Sequence, residues 1–187
     1  MNDILKGKRV AILATNGYED SELNSPRQAM QQAGAIVDII SIESGTIKSW
    51  KDGDWYGSTE VDDTINNASA ENYDALVLPG GVINPDTLRQ SPEAVDFVRD
   101  FFIQKKTVAA ICHGPWMLAE ADVVRGRNLT SYRSIKTDLI NAGAQWLDNE
   151  VVVDQGLVTS RSPKDLPAFN AKLLEEIAEG VHEQRVV

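Results

Sequence analysis

Apolar residues along this chain fall into short β-branched runs separated by stretches of helical period, an alternation that predicts strands and helices in turn. Arg9 to Ala14 and Ile36 to Ile42 are the first two strands. Between them Leu23, Met30 and Ala33 recur among polar residues as one face of a helix, which Gly34 ends. Ala75 to Leu78 predicts a third strand running into Pro79-Gly80-Gly81, and Thr107 to Ile111 a fourth. Ser91 suits the cap of a helix reaching Gln104, with Pro92 at its first position and Glu93 in its first turn. Further on, Ile135 to Ala142 reads as a short helix closed by Gly143, Glu150 to Asp154 and Gly156 to Ser160 as two strands about a tight turn, and Leu166 to Glu179 as the last helix. Ile47 to Thr59, which carries Trp50, Trp55 and Tyr56, fits neither period and predicts a hairpin or surface excursion whose aromatic residues pack locally.

Strands joined by crossover helices specify an α/β fold with a mostly parallel sheet covered on both faces. Ligands in such folds sit at the carboxyl ends of the strands. The 187 residues fit one domain over the whole length, with no repeat or linker to divide it.

Composition narrows the function classes. Lys and Arg total 18 against 28 Asp and Glu, and the net charge of −10 repels phosphates and acidic lipid surfaces, so a nucleic acid partner is disfavoured. The apolar run Val10 to Ala14 is too short for a signal-peptide core, and no run approaches the length of a membrane span. A cytoplasmic location is expected, in keeping with a free thiol. Two distant histidines and one cysteine give no zinc-like spacing, and no phosphate-cradling loop of the Gly-Lys-Ser type occurs, so neither metal nor cofactor is expected.

Cys112, the one cysteine, follows the fourth strand at once, within Ala110-Ile111-Cys112-His113-Gly114. A free cysteine is commonly a small buried hydrophobe. Small residues two before and two after it are also the layout of a nucleophile elbow, which would hold the sulfur at the start of a following helix and favour a thiolate. Gly80-Gly81 ends the preceding strand in the same way, so its N–H groups and that of His113 could form an oxyanion hole beside the sulfur. The convergence of two strand ends favours the nucleophile reading.

After the first strand, Asn16-Gly17-Tyr18-Glu19-Asp20-Ser21-Glu22 brings carboxylates to a helix start. Glu19 and Asp20 fit ordinary first-turn chemistry as well as a functional role. Glu22 can face inward, where a buried carboxyl would be partly protonated and could bond the sulfur. His113, adjacent to Cys112, need not point at it, and His182 reads as a solvated residue of the polar tail Val181 to Val187.

These residues resemble the PfpI-type branch of the ThiJ/PfpI superfamily, whose fold is shared with class I glutamine amidotransferases. The motifs are Tyr18-Glu19-Asp20-Ser21-Glu22, Leu76-Val77-Leu78-Pro79-Gly80-Gly81, Ala110-Ile111-Cys112-His113-Gly114-Pro115, Leu129-Thr130-Ser131-Tyr132, Asn141-Ala142-Gly143-Ala144 and Thr159-Ser160-Arg161. The resemblance implies a flavodoxin-like three-layer α/β/α sandwich, Cys112 as nucleophile, His113 beside it, Glu22 near the sulfur and Tyr132 at the rim. It also implies a third triad member from a neighbouring subunit, here Asp86 in Asn84-Pro85-Asp86, and hence a homodimer or larger assembly with a shared active site. The late His-Pro-Glu motif of the amidotransferases does not occur, which excludes their reaction. The activity implied is a glyoxalase III or deglycase type of chemistry on small carbonyls or glycated protein and peptide, with no cofactor. An intracellular cysteine peptidase is the alternative, and a stress sensor or holdase the non-enzymatic one.

Overall fold

The computed structural model describes residues 3–183. In chain order the elements are β1 (Arg9–Leu13), β2 (Tyr18–Glu19), α1 (Asp20–Gln32), β3 (Ile36–Ser41), β4 (Thr46–Lys51), β5 (Asp54–Glu60), β6 (Asp63–Thr64) and β7 (Ala75–Leu78). There follow α2 (Ile83–Leu88), α3 (Pro92–Ile103), β8 (Thr107–Ile111), α4 (Trp116–Glu120), β9 (Asn128–Leu129), α5 (Lys136–Asn141), β10 (Gln145–Trp146), β11 (Val152–Asp154), β12 (Leu157–Ser160) and α6 (Leu166–Glu179).

The central sheet has the order β11-β12-β8-β7-β1-β3-β6. Every pairing in it is parallel except β11 with β12, which form an antiparallel hairpin. The residues of β7 and β8 are all buried, the mark of strands covered on both faces. Alternate residues serve opposite layers. Leu76, Leu78, Val108 and Ala110 meet Phe97, Phe101 and Phe102 of α3, while Val77, Ala109 and Ile111 meet Leu23 and Met30 of α1 and Phe169 and Leu173 of α6. This is the expected flavodoxin-like sandwich.

The predicted strands and long helices stand within a residue of their expected limits, except that β11 begins at Val152, two residues after the expected Glu150. Ser91 caps α3 by accepting a hydrogen bond from the Ala94 N–H at 3.2 Å. The excursion after β3 is the antiparallel pair β4/β5, and β2 adds a third strand to it. That small sheet overhangs the carboxyl ends of β1 and β7, so it helps to wall the site instead of standing apart from it. Not anticipated is α2, a short helix of mixed period directly after Pro79-Gly80-Gly81.

His182 departs from expectation. Its backbone N–H donates to Lys105 O at 2.8 Å, and its Nε2 lies 3.3 Å from Thr107 Oγ1 and 3.4 Å from Glu176 Oε2. It is packed, not solvated, because the chain beyond α6 folds back onto the start of β8. Gly156 leaves the space for the imidazole, which any side chain at that position would strike. Residues 184–187 of the expected tail lie outside the described residues.

Candidate functional site

The carboxyl ends of β1, β7 and β8 meet at Cys112. Its φ of 61° lies in the left-handed region, a strained conformation for a residue with a side chain and the mark of a nucleophile elbow. Three glycines allow the approach. A Cβ on Gly80 would sit 2.7 Å from the Cys112 Cβ and 3.0 Å from Glu22 Oε1, and one on Gly114 would collide with Leu78 O. Gly81, at φ 76°, packs against the backbone of Gly17.

The Gly80 carbonyl is occupied. It accepts from Glu19 N–H at 3.3 Å and from Asn84 Nδ2 at 3.1 Å. Asn84 is wholly buried. Its Nδ2 also donates to Pro79 O at 3.1 Å, and its Oδ1 accepts from Thr15 N–H at 2.8 Å. One amide thus fastens the ends of β1 and β7 together and leaves the Gly81 N–H directed at Cys112, as the His113 N–H also is. Sequence reading passed over Asn84; its polarity directly after a Gly-Gly loop was the signal available.

Glu22 of α1 is 0% exposed, and burial, reinforced by Glu19, raises its pKa well above the ordinary carboxylate range. Neither of its oxygens makes a complete hydrogen bond within the described residues, while the Cys112 side chain and the Gly81 N–H pull its pKa weakly back down. Burial thus favours the protonated form of this carboxyl, beside the sulfur. Burial, then the proximity of Glu22, also raises the Cys112 thiol above its usual range. The expected helix-start stabilisation of a thiolate does not hold: α4 has five residues and begins four beyond Cys112, too short and too far to supply a useful dipole. Burial and Glu22 both favour the thiol over the thiolate.

His113 does face it. Its Nδ1 lies 3.2 Å from Cys112 Sγ and its Nε2 3.1 Å from Ser134 Oγ. With the proton on Nε2, the ring donates to Ser134 and offers Nδ1 as acceptor for the thiol proton. Burial lowers the His113 pKa, which keeps it neutral and able to accept. Stacking on Tyr132, with centroids 4.8 Å apart, and an edge contact with Trp116 hold the ring plane. Ser134, on the single turn Arg133–Ile135, carried no motif and was not anticipated. Asp86 is exposed on α2 and is not among the partners of His113 within the chain.

A cavity of about 420 Å³ opens over the sulfur, lined among others by Glu19, Glu22, Gly81, His113 and Tyr132. Trp50 of β4 packs edge-on against Trp55, with centroids 5.2 Å apart, as the expectation of local packing has it, and lines the cavity as well, so the small sheet contributes an aromatic wall. Glu19 is part-buried there, with its pKa raised mainly by burial. Six of the sequence-derived positions, Glu19, Glu22, Gly81, Cys112, His113 and Tyr132, thus face one space, with Gly80 beneath it. Away from it, Glu176, Glu179 and His182 bring carboxylate and imidazole atoms within 4.8 Å of one another, a grouping that the spacing of His and Cys alone did not reveal.

A strained cysteine above a parallel sheet, faced by a histidine and a buried glutamate, defines a class of nucleophile-elbow α/β proteins. The DJ-1/PfpI family matches residues 8–176, and this chain belongs to it. "Protein/nucleic acid deglycase 2" of Escherichia coli (strain K12) is 46% identical over 168 residues, covering 89% of this chain and 96% of that protein. "General stress protein 18" of Bacillus subtilis (strain 168) is 43% identical over 169 residues, covering 90% and 96%. Among solved structures, a two-domain protein from Anabaena variabilis with DJ-1/ThiJ/PfpI-like and ferritin-like domains aligns with a TM-score of 0.87 at 39% identity, covering 96% of this chain and 52% of that one. Among the described residues no helix is long and apolar enough to cross a membrane.

Proposed function

We propose that the chain is a cysteine-dependent enzyme acting on reactive carbonyls and on their adducts with amines and thiols. The observation that carries this reading is the fully buried Glu22 carboxyl, its pKa raised by burial, beside Cys112 at an open cavity. Such chemistry needs a nucleophile and one group that can give and take back a proton near neutral pH.

For a methylglyoxal hemiaminal, the Cys112 sulfur bonds the carbon that carries the amine, the carbon–nitrogen bond breaks, and the amine leaves with the thiol proton relayed through His113. The resulting hemithioacetal loses a proton from its first carbon and gains one at the second, with Glu22 or His113 as carrier. This internal redox step leaves a thioester of lactate. Water attacks the thioester, lactate departs and the thiol is restored. Overall, adduct plus water gives free amine plus lactate, without external oxidant, reductant or metal. The Gly81 and His113 N–H groups suit the oxyanions of these steps. Free methylglyoxal would enter the same sequence at the hemithioacetal. Asp86 of a second copy could supply a further partner for His113, which would make an oligomer the active form.

The test is lactate release, followed by NMR, from methylglyoxal adducts of a protected lysine. Wild type should release it many times faster than Cys112→Ala, and equal rates would overturn the reading. Cysteine-dependent cleavage of peptides with no action on adducts would favour the peptidase, and thiol oxidation without turnover the sensor.

A further inference from the structure

A net charge of −10 argues against anionic ligands, but one place beside the thiol cavity reverses that balance. A second cavity of about 310 Å³ adjoins the first at Tyr132, which lines both. Trp146 gives it a flat wall, and Arg133, Arg161 and Lys164 reach it. Arg161 is committed internally: it donates to both oxygens of Asp165, at 2.9 and 3.0 Å, and to Asp148 at 3.0 Å. These two carboxylates are the acidic groups lining the cavity, and Arg161 holds both. Arg133 and Lys164 are exposed and make no ion pair with any described residue. The Lys136 ammonium, 5.1 Å from the Trp146 ring centroid, adds a further positive charge nearby. In a chain this acidic, two unpaired cations beside an aromatic wall next to the nucleophile form a recognition surface for a negative group.

An adduct has two halves. The carbonyl fragment belongs against Cys112, and the amine- or thiol-bearing fragment that leaves must extend elsewhere. We propose that this second cavity is a subsite for the leaving fragment, where Arg133 and Lys164 receive a carboxylate, so that adducts formed on acidic peptides are preferred. The proposal deepens the function given above and rests on Cys112 as the nucleophile.

The experiment is chosen to separate the two ideas. Chloroacetyl-Ala-Glu-amide and chloroacetyl-Ala-Gln-amide alkylate a reachable thiol without any turnover: sulfur bonds the methylene carbon, the carbon–chlorine bond breaks, chloride leaves, and the thiol proton passes through His113 to solvent. Labelling of Cys112, followed by intact mass, should be about fivefold faster with the Glu probe at low salt, the scale of one exposed ion pair. The ratio should fall toward one in the double variant Arg133→Gln, Lys164→Gln. In the unaltered protein it should fall as salt rises from about 0.02 to about 0.5 M. A ratio near one in the unaltered protein, or a preference that survives the double substitution or high salt, overturns the subsite. Charge preference in labelling with no turnover of adducts would remove the deglycase reading and leave the subsite standing; turnover with no preference would do the reverse.

Discussion

Strand β8 carries similar residues at its two ends, and only one end has the makings of a reactive site. At the carboxyl end, Cys112 meets His113 and a buried Glu22. At the amino end, Thr107 meets His182 and a buried Glu176: its hydroxyl donates to Glu176 O at 3.1 Å, and His182 Nε2 lies 3.4 Å from Glu176 Oε2. Each end therefore assembles a hydroxyl or thiol, an imidazole and a carboxyl. The difference lies in the backbone and in the space around it. Cys112 is forced to positive φ and faces a cavity of about 420 Å³. Thr107 sits in regular strand geometry, and the returning chain closes over it. Residue inventory alone thus does not make a site; strain and a cavity do.

The largest expected effect tests that contrast directly. Cys112→Ala should lower kcat/KM toward carbonyl adducts by about a thousandfold or more, as expected for loss of a covalent nucleophile. Thr107→Ala should leave turnover within about twofold and register only in stability, by about 1 kcal/mol for its hydrogen bond. Comparable losses of turnover in both variants would erase the distinction between the two ends.

Next in size is Asn84. Replacing it with Ala leaves Thr15 N–H, Pro79 O and Gly80 O without their side-chain partner at a wholly buried position. About 2 to 4 kcal/mol of stability should be lost in urea denaturation, given the cost of unsatisfied buried groups. Turnover should fall as well, because the Gly81 N–H is no longer fixed toward the sulfur. Asn84→Asp should fail comparably, since a carboxylate cannot donate to the two carbonyls.

Glu22→Gln probes the proton instead of the frame. The folded-state pKa of Glu22 lies above its unfolded value of about 4.5, so below that value both states are protonated and the group contributes nothing to pH dependence. As pH rises past 4.5 the unfolded chain releases a proton that the folded chain retains. Wild-type stability must therefore decline relative to Glu22→Gln across the range up to the folded pKa. Thermal melts between about pH 5 and 8 should show the variant gaining on wild type, while its kcat drops by about ten- to a hundredfold for want of a proton carrier. Parallel melting curves would mean that Glu22 is ionised in the fold.

The sequence made the chemistry at the carboxyl ends readable and left its supports obscure, for a physical reason. Glycine pairs, a cysteine at a strand end and an acidic helix start are constrained by local backbone geometry, so Gly80, Gly81, Cys112 and Glu22 announce themselves in short strings. The alternation of apolar runs likewise defined β1, β3, β7, β8, α3 and α6, since burial on both faces demands it. Asn84 and Ser134 act through contacts that depend on how distant segments meet. Asn84 joins Thr15 to Pro79 across the sheet, and Ser134 reaches His113 from a single turn with no pattern of its own. The thiolate expectation failed for a related reason: how deeply the sulfur is buried, and that Glu22 stands beside it, follow from how distant segments pack and not from any local string.

The smallest effect belongs to the amino end of β8. His182→Gln keeps a polar group near Thr107 and Glu176 but removes the imidazole that fills the space over Gly156. A cost of about 1 kcal/mol in chemical denaturation is expected from lost packing and one weakened hydrogen bond, with kcat and KM within error of wild type. Gly156→Ala sharpens the assignment. At φ 79° that position disfavours any side chain, and a Cβ there would displace the His182 ring, so Gly156→Ala should lose more stability than His182→Gln. In the double variant the two costs should be less than additive, because the clash needs the imidazole. Full additivity would mean that Gly156 is required by its backbone angle alone and that the packing of His182 is incidental. A loss of turnover in His182→Gln would instead couple the two ends of the strand, against the view that cavity and strain confine the chemistry to Cys112.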